Sequence, residues 1–161
     1  MIRTATERDL PAILAIYNDA VLNTTAIWNE TPADLDNRRA WFEARGKAGF
    51  PVLVAEEGGR VAGYGSFGDF RPFEGYRVTV EHSVYVAAES RGRGLGAELL
   101  AKLIEEARRL DKRVMIGGID AANAVSIALH AKFGFVEAGR LPGVGVKFGR
   151  PLDLVLMQKN L

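Results

Sequence analysis

The chain has 161 residues, 48% hydrophobic and 25% charged, with a formal net charge of +1. That suits one domain with a sizeable core and gives no global pull toward nucleic acid or anionic membrane. It has no cysteine, which removes disulfides, thiol nucleophiles and zinc–thiolate sites together. No apolar run approaches the ~20 residues that span a bilayer. The opening MIRTATERDL lacks the apolar stretch of a secretory leader. The expectation is a cytoplasmic protein with a single domain over residues 1–161.

In chain order, IRTA reads as a short opening strand. Leu10, Ile13, Leu14, Tyr17 and Val21 recur at helical spacing, with Asp9 as the expected N-cap and Pro11 in the first turn. A second helix is predicted from Thr31 as cap and Pro32 at the first helical position. PVLVAEEGGRVAGYGSF reads as two strands about Glu57-Gly58-Gly59, and RVTVEHSVYVAA as the longest strand. The stripe Leu95, Leu99, Leu103, Ala107 and Leu110 marks an amphipathic helix. RVMIGGI is a buried strand, AANAVSIALHAKFG a helix ended by Gly134, and FVEAGR and LDLVLMQKNL closing strands. The order β-α-α-β-β-β-α-β-α-β-β predicts an α/β fold with a mixed, mostly antiparallel sheet flanked by helices.

Between strand and helix stands the turn Arg91-Gly92-Arg93-Gly94-Leu95-Gly96. Free N–H groups at a helix start, with the helix dipole, attract an anion. Glycines let the anion close on those N–H groups, and the arginines add charge at the rim. The Gly-Lys-Ser/Thr ending of a nucleotide-hydrolase P-loop is absent, and the glycines at 92, 94 and 96 miss the spacing of a dinucleotide fingerprint.

Arg91, Gly94 and Gly96, behind SVYV and before a helix, resemble the acetyl-CoA motif of the GNAT superfamily of N-acetyltransferases. Asn123, Ser126, Leu129, Gly134 and Phe135 resemble that family's second block. His130, where many members carry a tyrosine, is similar to the phosphinothricin and methionine sulfoximine acetyltransferase group, as are VEHSVYV, YNDAVLNTTAIWNETP, NRRAWFEAR and VKFGRPLDLVLMQ. The resemblance implies a GNAT fold and direct acetyl transfer from acetyl-CoA to the amine of a small amino-acid analogue. It implies a homodimer, with residues 143–149 at the contact, and no metal, nucleic-acid or membrane partner.

By strand alternation Arg77, Thr79, Glu81 and Ser83 are expected on one face and His82 on the other. Position alone reads Glu81 either as a surface carboxylate paired with Arg77 or as a base whose pKa burial raises. The resemblance implies the base, with His82 as a rival on the wrong face. His130 reads as a satisfied core histidine or, by its shared helix face with Asn123, as a residue beside the thioester. The resemblance implies that His130 assists thiolate departure and that backbone amides stabilise the oxyanion. It places the pantetheine arm on Val84, Tyr85, Val86 and Asn123, and the pyrophosphate on Arg91, Gly92, Arg93, Gly94, Leu95, Gly96 and Ala97. Lys132 is expected near an outer phosphate or simply in solvent. Arg71, Phe73, Glu74, Gly75, Tyr76, Arg77 and Thr79, with Trp28 and Glu30, are expected around the acceptor, an arginine holding its carboxylate. Two rival readings stand beside this: a non-catalytic acetyl-CoA-binding module, and an acetyltransferase acting on protein N-termini or lysines.

Overall fold

A computed structural model describes residues 1–161. Its elements are β1 (Ile2–Thr4), α1 (Leu10–Asn23), α2 (Leu35–Lys47), β2 (Val52–Glu57), β3 (Arg60–Asp69), β4 (Thr79–Val86), α3 (Leu95–Arg109), β5 (Val114–Asp120), α4 (Ala124–Lys132), β6 (Val136–Lys147) and β7 (Arg150–Asn160). Seven strands form one sheet in the order β1-β2-β3-β4-β5-β7-β6. Only the β4–β5 pair is parallel. The expected element order and the mixed α/β class stand.

The sheet carries a core on each face, because period-2 alternation sends neighbours to opposite sides. Leu53, Ala55, Phe67, Val80 and Met115 pack with the α3 stripe Leu99, Leu103 and Ala107. Val52, Val54 and Tyr64 pack with Leu10, Ile13 and Ile16 of α1, and Trp41 of α2 leans on them. Leu99, Leu103 and Ala107 are fully buried, and each buried leucine contributes roughly 1.5–3 kcal/mol.

Two helix starts differ from the sequence expectation. Asp9 occupies the N-cap position of α1 but caps nothing there, and its own φ/ψ are helical. Its carboxylate instead takes both terminal nitrogens of Arg3 at 2.8 Å and the Thr6 N–H at 2.7 Å. The α2 start lies at Leu35, capped by Asp34, whose Oδ1 accepts from Asn37 N–H. Asn18 explains the delay: its amide bonds both the N–H and the C=O of Ala33, which holds Thr31-Pro32-Ala33 outside the helix.

Candidate active site

The parallel β4–β5 pair is short. Register runs only from Thr79↔Val114 to Glu81↔Ile116, while β4 stays paired with β3 as far as Val86. Beyond Glu81 the strands part, leaving a cleft of about 680 Å³ lined by residues 82–86 and 117–120, by Gly96 and by Asn123, Ser126, Leu129 and His130 of the α4 segment. Ala87 N–H donates to Ala62 O, so by antiparallel alternation Ser83 and Tyr85 spend their backbone groups on β3. Val84 and Val86 therefore turn theirs to the gap, where an extended chain can add as a strand. Arg91 Nε donates to Val86 O at 3.3 Å, closing part of that edge.

The glycine–arginine turn ends the cleft. Gly92 and Gly94 have φ of 77° and 86°, a left-handed backbone that side chains disfavour, and nothing lies within 4 Å of a Cβ built on either. The first α3 bond is Glu98 N–H to Gly94 O, so the N–H groups of residues 92–97 have no backbone acceptor. Arg91 and Arg93 are committed to protein: Arg91 to Asp19 at 3.2 Å, Arg93 to Glu57 at 3.1 Å and to Glu89 O at 3.2 Å. They brace the loop, and the free donors are backbone. Lys132 is exposed, off the cleft.

On the α3–α4 face, His130 Nδ1 lies 2.7 Å from Ser126 O and His130 Nε2 lies 2.9 Å from His82 Nε2. A carbonyl only accepts, so Nδ1 carries the His130 proton, Nε2 is an acceptor, and His82 Nε2–H donates to it. His82 Nδ1 is then a buried lone pair with no protein partner. The rings stack with centroids 5.0 Å apart, and Phe135 meets both edge-on. Burial pushes both imidazoles below the ordinary histidine range, the Ser126 carbonyl partly offsetting this at His130. Alternation alone put His82 on this face, but nothing in the sequence joined it to His130. Gly117 on β5 makes the contact feasible, since a Cβ there would lie 3.1 Å from His82 Nε2 and 3.2 Å from His130 Nε2.

Glu81 stands on the opposite sheet face with Thr79 and Ser83, next to Gly118. Crowding by protein raises its carboxyl above the usual range, and Arg71 partly offsets the shift. Arg77 does not join it. The residue caps the 3₁₀ turn Glu74–Tyr76 before β4 begins, with Nη1 donating to Glu74 O at 3.1 Å. Arg71 is exposed, bonded to Phe70 O and lying over the Phe70 ring. Phe73, Glu74, Gly75 and Tyr76 form an exposed bulge beside them. Trp28 and Glu30 hold the α1–α2 loop to the β6–β7 hairpin: the Trp28 ring faces Gly145, its Nε1 donates to Thr25 O, and Glu30 accepts from Phe148 N–H at 2.9 Å. Fully buried Lys147 joins the same junction, donating to Thr24 O at 2.6 Å and to the carbonyls of Ala20 and Ile27. No cluster of three or more histidines or carboxylates is placed to hold a metal.

A sheet that splays at one parallel pair, with free strand edges in the gap and a helix-start amide cradle at its end, can seat an extended ligand that ends in an anionic group. Residues 13–135 match the model of the Acetyltransferase (GNAT) family, and the chain belongs to that family, whose members are N-acetyltransferases using acetyl-CoA. It is 61% identical over 161 residues to the L-methionine sulfoximine/L-methionine sulfone acetyltransferase of Pseudomonas paraeruginosa, covering 99% of this chain and 94% of that one. A crystal structure from Brucella melitensis described as a ribosomal-protein-alanine N-acetyltransferase superposes with a TM-score of 0.99 at 63% identity, covering 100% of this chain and 99% of that one. A putative acetyltransferase from Salmonella typhimurium, solved with acetyl-CoA, superposes with a TM-score of 0.98 at 57% identity, covering 100% and 93%.

Proposed function

We propose that this N-acetyltransferase acetylates the α-amino group of a small amino acid bearing a tetrahedral polar head, of the methionine sulfoximine, methionine sulfone or phosphinothricin type. The observation that carries the reading is the placement of Glu81 at the point where β4 and β5 part, one residue from the histidine pair on the far face. Likeness over nearly the whole chain to a methionine sulfoximine and sulfone acetyltransferase supports the acceptor class.

Acetyl-CoA supplies the activated acyl thioester. The backbone of Val84 and Val86, with Asn123, would hold its pantetheine arm, and the N–H groups of residues 92–97 its pyrophosphate; Tyr85, expected from the resemblance beside that arm, spends its backbone on β3 and packs its ring against Tyr64 on the other face. Glu81 accepts the amine proton, a task suited to a carboxylate with a raised pKa. His130 carries its proton on Nδ1 against Ser126 and its Nε2 against His82, so in the resting state it is a proton acceptor. That qualifies the expectation from resemblance, in which His130 aids thiolate departure: it needs a proton first. We read the protein as cytoplasmic and homodimeric, the second copy covering edge strand β6 and the turn that follows it, where Leu141, Val144, Val146 and Phe148 are exposed.

Glu81→Gln tests the base. Its ionised form is required, and its pKa is raised, so kcat/KM of the wild type rises with pH through a limb above the ordinary glutamate range. The variant loses that limb and ~10²–10⁴ in kcat; a change under threefold removes Glu81 from the mechanism. The Brucella structure's description favours a second reading, acetylation of a protein N-terminus. Thiol release with methionine sulfone, methionine sulfoximine, methionine and an alanine-terminated peptide decides between them. Turnover of the peptide alone overturns the amino-acid reading.

A further inference from the structure

We infer that His82 is a positioning residue for acetyl transfer: by donating its Nε2–H to His130 Nε2 it fixes the ring and the tautomer of His130 and pins α4 to the strand that carries Glu81. This rests on the proposal above that His130 serves the reaction.

The two walls of the cleft come from different elements. β4 brings residues 82–86, and the α4 segment brings Asn123, Ser126, Leu129 and His130. Ile127 and Leu129 pack on the core, but apolar packing is non-directional and does not by itself set where a helix sits along a sheet. One hydrogen bond joins α4 to a strand, the 2.9 Å contact between His82 and His130. It passes over Gly117 of β5, the position where a Cβ would crowd both Nε2 atoms. Each histidine is 6% exposed, and in such a low-dielectric setting a satisfied polar contact holds groups in one arrangement.

Proton inventory makes this bond run one way. His130 Nδ1–H is spent on Ser126 O at 2.7 Å, so a neutral His130 offers only a lone pair at Nε2, and His82 must donate. A proton placed on His130 Nε2 sets donor against donor unless His82 moves its own proton from Nε2 to Nδ1. His82 thus sets the condition under which His130 is charged. Its Nδ1 is the one atom of the pair without a partner, where protein interiors leave few polar atoms unpaired. The surroundings add no charge. β3 sets Phe67 opposite His82, β5 presents Gly117, α4 presents Ser126, and Phe135 meets both rings edge-on. The only titratable group that acts on His82 is His130. Loss of the His82 donor opens the His130 lone pair, so His130 then titrates at higher pH than in wild type.

The test is steady-state kinetics and nitrogen NMR of the imidazoles in wild type, His82→Gln, His82→Asn and His82→Leu, with His130→Ala as reference. Gln carries an N–H as many bonds from Cβ as histidine Nε2, Asn stops one bond short, and Leu has no donor. The expected result is a fall in kcat of at least tenfold in His82→Leu and His82→Asn, the scale of one hydrogen bond or a small misplacement. The KM for acetyl-CoA should stay within about threefold, and His82→Gln should recover kcat to within about threefold of wild type. NMR should show His130 as the Nδ1–H tautomer in wild type and His82→Gln, and as mixed tautomers titrating at higher pH in His82→Leu. A merely structural role would lower Tm in all three variants while leaving the His130 tautomer unchanged and Gln no better than Asn. That outcome overturns the inference, as does kcat within threefold of wild type in His82→Leu. If His82→Leu fails to fold, His82→Gln against His82→Asn decides alone. If His130→Ala turns over as fast as wild type, the reading of His130 falls and His82 with it. If His130→Ala is slow and His82→Leu is not, only the inference falls.

Discussion

Gly117 gives the most direct handle on the histidine pair. A Cβ there would lie 3.1 Å from His82 Nε2, 3.2 Å from His130 Nε2 and 3.3 Å from His130 Cδ2. These are a few tenths of an ångström inside ordinary contact, so Gly117→Ala must drive at least one ring back. The 2.9 Å bond between the rings cannot lengthen far before it is lost, at about 1 kcal/mol; an off-rotamer ring adds roughly 0.5–1.5 kcal/mol. The sum, about 1.5–2.5 kcal/mol, matches the usual cost of overpacking and corresponds to a fall in Tm of roughly 3–10 °C at this chain length. Gly118→Ala is the control, because its Cβ would meet Glu81 Oε2 and Leu154 Cδ1 only at 3.5 Å, ordinary van der Waals distance. Thermal denaturation of both variants, with kcat and acetyl-CoA KM measured beside it, checks the reasoning. Gly117→Ala should lose stability and at least tenfold in kcat, the effect of about 1.4 kcal/mol in the barrier, and Gly118→Ala should stay near wild type in Tm. Equal melting temperatures would refute the packing account, and undiminished kcat in a destabilised Gly117→Ala would show that turnover does not need the paired rings.

Gly94→Val forces a branched residue into φ of 86° at the mouth of the amide cradle; calorimetric titration should show coenzyme A binding weakened at least tenfold. Arg93→Ala, which removes a screened contact to Glu57, should cost less, and the reverse order would sink the backbone-cradle account. The histidine pair makes stability pH-dependent: both pKa values are lowered in the folded state, so the unfolded chain binds more protons below about pH 6.5. Stability is therefore full above that pH and declines as pH falls, and His82→Gln should flatten the slope measured by denaturant titration between pH 7 and pH 5. Lys147→Met leaves the carbonyls of Ala20, Thr24 and Ile27 without their donor; a loss of about 2–4 kcal/mol by urea denaturation is expected.

The element order, the mixed sheet and the glycine cradle were legible in the sequence because each rests on neighbours in the chain: alternation, helical periodicity and a strand–turn–helix with glycines at the turn. The face carrying Glu81 and the opposite face carrying His82 followed from the same alternation. What local pattern could not supply was the point at which a pairing ends. RVTVEHSVYV alternates from its first letter and so places Arg77 in the strand, yet the chain turns at Glu74–Tyr76 and pairing with β5 starts at Thr79. The α2 cap moved for a similar reason, since Asn18, far back in α1, decides what Thr31 to Ala33 do. Tertiary structure alone joined His82 to His130 across 48 residues and spent Trp28 and Glu30 on the hairpin junction. Each of those contacts is made by side chains from elements distant in sequence, and its free energy depends on which groups share a buried space. Chain-local periodicity carries no record of that.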